Sequence, residues 1–95
     1  MSYKLPVNYY RIHWSVRKKV REQYIKEQQG LCYWCKSSLK EDPPREIMEK
    51  EINMALFPET MFDYPIHLQH DHTTGMTEGA VHARCNAVMW QYHNR

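Results

Sequence analysis

The chain has too few cysteines for a disulfide scaffold and has no long apolar run. Its 95 residues include three cysteines, and this odd number excludes a framework in which every cysteine is paired in a disulfide. No stretch of eighteen apolar residues occurs, and no apolar block typical of a signal peptide stands near the start. No internal repeat or low-complexity tract is present. We therefore expect one soluble, cytoplasmic domain over residues 1–95, without a membrane partner.

A chain of this size also has little room for an apolar core. At 95 residues the core alone gives marginal stability. A structural metal would stabilise the fold, because metal binding in small domains is coupled to folding. Aromatic residues make up 13% of the chain, and we expect most of these rings to fill the core around the metal.

Charge is distributed unevenly along the chain, although the formal net charge is only +2. Residues 1–40 carry nine Lys and Arg against two acids, whereas residues 41–68 carry seven acids against two basic residues. This asymmetry predicts a face that binds a polyanion or, equally well, a solvated basic helix face. The candidates for contacts with DNA phosphates are Arg11, Arg17, Lys18 and Arg21.

Hydrophobic periodicity predicts a long basic helix at about 9–29, which Gly30 is expected to end. Tyr9, Tyr10 and Trp14 follow the apolar spacing, so we expect them in the core or a dimer interface rather than stacked on bases. A zinc knuckle is expected next, at about 31–39. It is followed by an acidic insert at about 40–65, which includes a helix from Arg45 to Leu56. Strands at Ile66 to His72 and Thr77 to Val81 and a terminal helix from Asn86 to His93 complete the chain. This order predicts an α+β fold with a strand-strand-helix core at about 66–93.

Two pairs of metal-binding residues stand at the same short spacing. Cys32 and Cys35 form the first pair, and His82 and Cys85 form the second. Two such turns brought together close a tetrahedral shell of three cysteines and one histidine, which leaves no open position for water and therefore predicts structural Zn²⁺. The alternative interpretation is that the cysteines are simply small buried residues.

A histidine-rich segment stands between the two pairs. Strand alternation would place His70 and His72 on one face, with His67 and Gln69 on the other. A neutral imidazole suits a general base near pH 7, and Asn86 offers an oxygen to a hard divalent ion. These are the groups that phosphodiester hydrolysis needs.

The run from His67 to His72, with Gly75, Gly79 and Cys85-Asn86, resembles the HNH or His-Me finger nucleases, most closely the phage recombination endonuclease VII-like subgroup. The likeness covers roughly 28–39 and 67–90. It implies a zinc-stapled ββα-metal domain that hydrolyses duplex or branched DNA to 5′-phosphate and 3′-hydroxyl ends. A homodimer is expected if both strands are cut, and the host-cell cytoplasm is the expected location if a phage encodes it.

The resemblance also implies residue roles. His70 matches the general base, His72 supports the phosphate or metal shell, and Asn86 helps to hold a catalytic Mg²⁺ or Mn²⁺. His82 replaces a cysteine usual in the family, and Gln69 replaces an aspartate that binds the ion. An amide binds a hard cation more weakly than a carboxylate does. The ion would then rest on Asn86, or on Asp71 if that side chain swings in.

Two other functions fit part of the pattern. The first is a catalytically weak or inactive zinc module that binds DNA or a protein, which Gln69 favours. The second is a zinc hydrolase or deaminase with a histidine at an open zinc site. The chain lacks the His-x-Glu and Pro-Cys-x-x-Cys elements of the nucleobase deaminases.

Overall fold

A computed structural model of the chain describes residues 2–94. Within these residues, three helices and two strands follow in chain order: α1 (Trp14–Glu27), α2 (Arg45–Met48), β1 (Ile66–His70), β2 (Thr77–His82) and α3 (Ala83–His93), with short 3-10 turns at Tyr9–Arg11 and Met54–Leu56. The strands form a two-stranded antiparallel sheet. The α+β class and the strand-strand-helix order agree with the prediction. None of the helices among residues 2–94 has the length and apolar character needed to cross a membrane.

The N-terminal helix is shorter than the predicted 9–29. The Asn8 side chain accepts a hydrogen bond from the Tyr10 amide and caps a separate 3-10 turn. His13 then caps α1, because its Nδ1 accepts from the Ser15 amide. Periodicity alone predicts one continuous helix here, but the two successive caps divide the segment into a 3-10 turn and α1. Gly30 follows the helix end with a φ of +76°.

The N-terminal segment docks onto the hairpin of β1 and β2. The Val7 amide donates to the Thr77 hydroxyl, and the Thr77 amide donates to the Val7 carbonyl. The register of the two strands is irregular between Gln69 and His70, and β1 ends at His70 rather than at the predicted His72. The chain turns there because the Asp71 carboxylate accepts from the amides of Thr73 and Thr74.

The predicted helix from Arg45 to Leu56 is wrong. Only α2 and the second 3-10 turn form within it. Arg84 donates to the carbonyls of Met48 and Lys50, and the side chains of Gln91 and Tyr92 donate to the Glu51 carbonyl. These carbonyls therefore bond to side chains of the C-terminal helix α3 and do not continue a helix of their own.

The core is aliphatic rather than aromatic, contrary to the prediction. Its buried members include Val20, Leu39, Val81, Val88 and Met89. No aromatic side chain within residues 2–94 is fully buried, although some rings pack against the core from its edge. Much of the aromatic surface is thus left for other contacts.

Candidate metal centre and adjoining cleft

The first cysteine pair lies on a tight turn. A backbone bridge between Leu31 and Ser38 closes the turn, and the Cys32 amide donates to the Ser37 carbonyl. Within it, the amides of Trp34 and Cys35 point at the Cys32 sulfur from 3.4 and 3.5 Å. Amide donors directed at a sulfur stabilise its thiolate form, which is the form that binds metal.

The second pair lies where β2 passes into α3. His82 ends the strand and precedes α3, and Cys85 lies in the first turn of that helix. His82 Nδ1 is 3.4 Å from Cys35 Sγ and 3.6 Å from Cys85 Sγ. A tetrahedral zinc ion with bonds of about 2.3 Å to sulfur and about 2.0 Å to nitrogen sets S···N edges of about 3.6 Å. The observed separations agree with that geometry.

The hydrogen bonds of His82 Nε2 determine which nitrogen of this ring can bind a metal. Nε2 lies 2.9 Å from the carbonyl oxygens of both Ser38 and Glu41, and carbonyls only accept hydrogen bonds. Nε2 therefore carries the proton, which leaves the Nδ1 lone pair directed at the cysteines. Such an outer partner is the usual way in which a ligating histidine is oriented.

The thiols compete for a negative charge. A hydrogen bond from Cys85 is the largest effect that lowers the pKa of Cys32, to about 4. The same bond and burial raise the pKa of Cys85. Without a cation only one of these two buried thiols ionises, whereas a bound divalent ion would hold both as thiolates.

All four donors are placed to hold one metal ion. The ligand atoms of Cys32, Cys35, His82 and Cys85 lie within 4.8 Å of one another. Across the described part of the chain, no other group of three or more His, Cys, Asp or Glu has this geometry. None of the three histidines in the 67–72 segment belongs to the group.

A basic cleft of about 590 Å³ lies between α1, β1 and α3. Arg17, Lys18 and Arg21 of α1 line it, together with His67, His70 and Asn86. Arg11, which the sequence groups with these basic residues, is not among the lining residues. The structure thus brings His70, Asn86 and three of the four proposed phosphate contacts into one space.

Two tyrosines from the first 3-10 turn hold His70. The Tyr9 ring stacks on the imidazole at a centroid distance of 4.0 Å, and the Tyr10 hydroxyl is 3.2 Å from His70 Nε2. Tyr10 can lie this close because residue 75 is a glycine, and a Cβ there would meet the Tyr10 ring at 2.7 Å. His70 Nδ1 is buried and has no hydrogen-bond partner among residues 2–94.

The cleft favours neutral histidines. Burial lowers the pKa of His70, and the nearby His72 and Arg17 lower it further. Burial also lowers the pKa of His67, with Arg21 adding to the effect. Both rings are therefore uncharged near pH 7, and each carries one unprotonated nitrogen.

Asn86 is paired with His67. Its amide nitrogen lies 3.0 Å from His67 Nδ1, so the amide donates to the imidazole lone pair. This leaves the Asn86 oxygen as the atom that can bind a cation. From the sequence, His67 is one of three clustered histidines and a candidate ligand only for an open zinc site, whereas the fold pairs it with Asn86. The contact joins residues 67 and 86 through the fold, and no local spacing indicates it.

Gln69 does not share the cleft with Asn86. Its side chain is 2% exposed, and its amide donates to the His70 carbonyl and to Glu78. With Asp71 and His72 it lines a separate, smaller pocket. The exposed His72 ring still lies 4.9 Å from the His70 ring, centre to centre. The two oxygen ligands expected for a catalytic ion are thus on different surfaces.

Comparisons with models of protein families, with curated proteins and with solved structures found nothing that matches this chain. The resemblance to the HNH nucleases therefore rests on the chain's own sequence.

Proposed function

We propose that the protein is a metal-dependent DNA endonuclease, with structural zinc at the centre formed by three cysteines and His82 and its chemistry in the basic cleft. The observation that carries the proposal is that His70, Asn86 and the cations of α1 line the same cleft. A general base, an oxygen ligand for a divalent ion and a phosphate-binding surface are the three elements that phosphodiester hydrolysis requires.

The zinc centre would act by fixing α3. Cys85 and Asn86 are neighbours in the first turn of that helix, and His82 stands directly before it. Zinc bound by Cys32, Cys35, His82 and Cys85 would cross-link this turn to the CxxC turn. Asn86 would then be held at the cleft wall with little freedom, as a site that binds an ion needs.

His70 is suited to accept the proton of the attacking water. Its lowered pKa keeps the ring neutral, and the Tyr9 ring stacked on it holds its orientation. Because Tyr10 occupies Nε2 and Nδ1 is buried, water would reach the ring only after Tyr10 has moved. Asn86 would hold Mg²⁺ or Mn²⁺ without Gln69, and the bound ion would supply charge neutralisation at the phosphate and the leaving 3′ oxygen.

A plasmid-nicking assay with Mg²⁺ or Mn²⁺ tests the proposal. We expect His70→Ala to lower the cleavage rate by a factor of about 100 or more, the usual contribution of a general base. His93→Ala is the matched control, because His93 is exposed at the end of α3 and does not line the cleft. Wild type that stays inactive with every divalent ion, or a His70→Ala variant as active as wild type, would contradict it.

A non-catalytic module that binds DNA through the same cleft is the second candidate. The position of Gln69 outside the cleft favours it, because the ion then has one protein oxygen instead of two. Binding of DNA without cleavage, unchanged in His70→Ala, is the result this candidate predicts.

A further inference from the structure

Trp14 is the most exposed of the large apolar side chains, with 70% of its surface accessible. It is the first residue of α1 and lines the basic cleft. Its one aromatic neighbour among residues 2–94 is His13, tilted at a centroid distance of 5.2 Å. A tryptophan ring buries a large apolar area when it makes a contact, so an exposed tryptophan at a cleft indicates a binding surface.

Trp14 lies on the same face of α1 as three cationic side chains. Arg17, Lys18 and Arg21 follow at steps of three, four and seven residues, which places all four side chains on one helix face. All four line the same cleft. Arg17 is held there, because its guanidinium lies 3.9 Å from the centre of the Tyr9 ring and its Nε donates to the Tyr9 carbonyl.

The loop before β1 brings a second exposed ring to the cleft. Tyr64 is 69% exposed and makes no aromatic contact within residues 2–94. It lines the cleft together with Trp14 and His70. The cleft thus has two accessible rings, three cations and the proposed general base within a volume of about 590 Å³.

We infer that this cleft binds an unpaired nucleotide, with its base stacked on Trp14 and its phosphate held by the cations of α1. The inference rests on the proposed function and narrows its substrate to DNA that has a single-stranded segment. Contacts to a duplex backbone need cations alone, whereas aromatic platforms beside a basic groove are typical of single-strand binding. The cleft volume is also in the range of small-ligand sites and suits one nucleotide.

Charge argues against a second copy of the chain as the partner of Trp14. In a symmetric dimer built on this face, Arg17, Lys18 and Arg21 would meet the same residues of the other copy. Like charges placed opposite each other oppose such an interface. A nucleotide phosphate complements the same three cations.

Binding by the zinc-loaded full chain, without Mg²⁺ or Mn²⁺, tests the inference. Labelled oligothymidylate and a blunt-ended, mixed-sequence duplex of two fully complementary strands would be titrated while fluorescence anisotropy is followed. We expect Trp14→Ala to weaken single-strand binding about tenfold and duplex binding less than twofold. Trp14→Phe should retain most of the affinity. Trp90→Phe is the matched control, because Trp90 is on α3, packs against Phe57 and does not line the cleft.

Tryptophan emission gives a second measurement. Stacking should quench part of the emission of wild type and of Trp90→Phe, and Trp14→Phe should lose that quenching. Equal losses for single strand and duplex in Trp14→Ala, or no loss for either, would overturn the inference. So would a dimer in sedimentation that Trp14→Ala dissociates while single-strand affinity is unchanged.

The two proposals fail in different ways. Nicking of a perfect duplex, lost in His70→Ala but unaffected by Trp14→Ala, would keep the nuclease and reject the unpaired nucleotide. Single-strand binding that depends on Trp14, in a protein that cleaves nothing with any ion, would keep the binding site and reject the nuclease.

Discussion

The metal centre and the cleft meet at α3, yet they are built in opposite ways. In the metal centre Cys32, His82 and Cys85 are buried, and backbone groups satisfy both the Cys32 sulfur and His82 Nε2. In the cleft Trp14 and Tyr64 are exposed, and His70 Nδ1 lacks a partner among residues 2–94. Buried ligands whose polar atoms have backbone partners suit a structural role, whereas exposed aromatic rings at a cleft suit a site that binds a ligand.

The two regions should therefore serve different properties, the metal centre folding stability and the cleft activity. Changes to the metal centre should act first on folding, because its four ligands come from two distant segments of a small domain. Changes to the cleft should act on cleavage and DNA affinity with little effect on folding. Variants of each region can show whether the two are as independent as this division requires.

The largest effect is expected from loss of a metal ligand. Cys85→Ser should abolish cooperative unfolding and tight zinc binding, since structural zinc contributes about 10–16 kcal/mol in isolated zinc-finger peptides. Circular dichroism during heating, with zinc measured by mass spectrometry, would show it. Chelation of wild type should have the same effect.

His82→Cys is the informative control. A shell of four cysteines is an ordinary zinc site, so this variant should keep one zinc per chain, whereas His82→Ala should lose it. If zinc-free wild type unfolded cooperatively at the same melting temperature as the zinc-loaded protein, the metal centre would not be a structural element.

Local sequence patterns specify the metal centre more completely than the cleft. The two-residue gaps of Cys32-Cys35 and His82-Cys85 encode two turns, and only their meeting depends on the fold. The hairpin and α3 could be predicted for the same reason, because alternation, a glycine turn and helical spacing are local signals.

The cleft depends on contacts that no short pattern records. Tyr9 and Tyr10 reach His70 only because the N-terminal segment docks beside β2, about 60 residues along the chain. Periodicity assigns Tyr9 to the helix because it counts apolar spacing and ignores the caps at Asn8 and His13. Alternation puts His67 and Gln69 on one face, yet His67 lines the cleft with His70 while Gln69 lines the other pocket, and the register of the strands is irregular at this point.

The next largest effect should come from Asn86. Asn86→Ala removes the oxygen proposed to hold the catalytic ion and should lower cleavage about 10- to 100-fold, while zinc content and melting temperature stay near wild type. Higher Mn²⁺ should restore part of the rate. Asn94→Ala, at the far end of α3, is the control. Loss of zinc in Asn86→Ala would mean that the two regions are not independent.

The pH dependence of cleavage should show a smaller effect. The general base acts when unprotonated, and burial lowers the pKa of His70 below its usual 6.5. The rate should therefore hold as pH falls through 6.5 and decline about tenfold per pH unit only below the lowered pKa. His72→Ala removes a neighbouring charge that contributes to the lowering, so its acid limb should move up toward 6.5. Zinc content must be constant over the range used. A wild-type midpoint above 6.5 would exclude His70 as this base.

The smallest expected effect distinguishes the cations that line the cleft from the one that does not. Lys18 lines the cleft, whereas Arg11 does not, although both belong to the basic first half of the chain. Each phosphate contact contributes about 0.7 to the slope of log affinity against log salt for a single strand, or about 0.9 for a duplex. Lys18→Ala should reduce the slope by about that amount, and Arg11→Ala should leave it unchanged. Because both changes remove one positive charge, a slope lowered equally by the two would show that the whole basic surface binds DNA diffusely and that the cleft does not select the path of the strand.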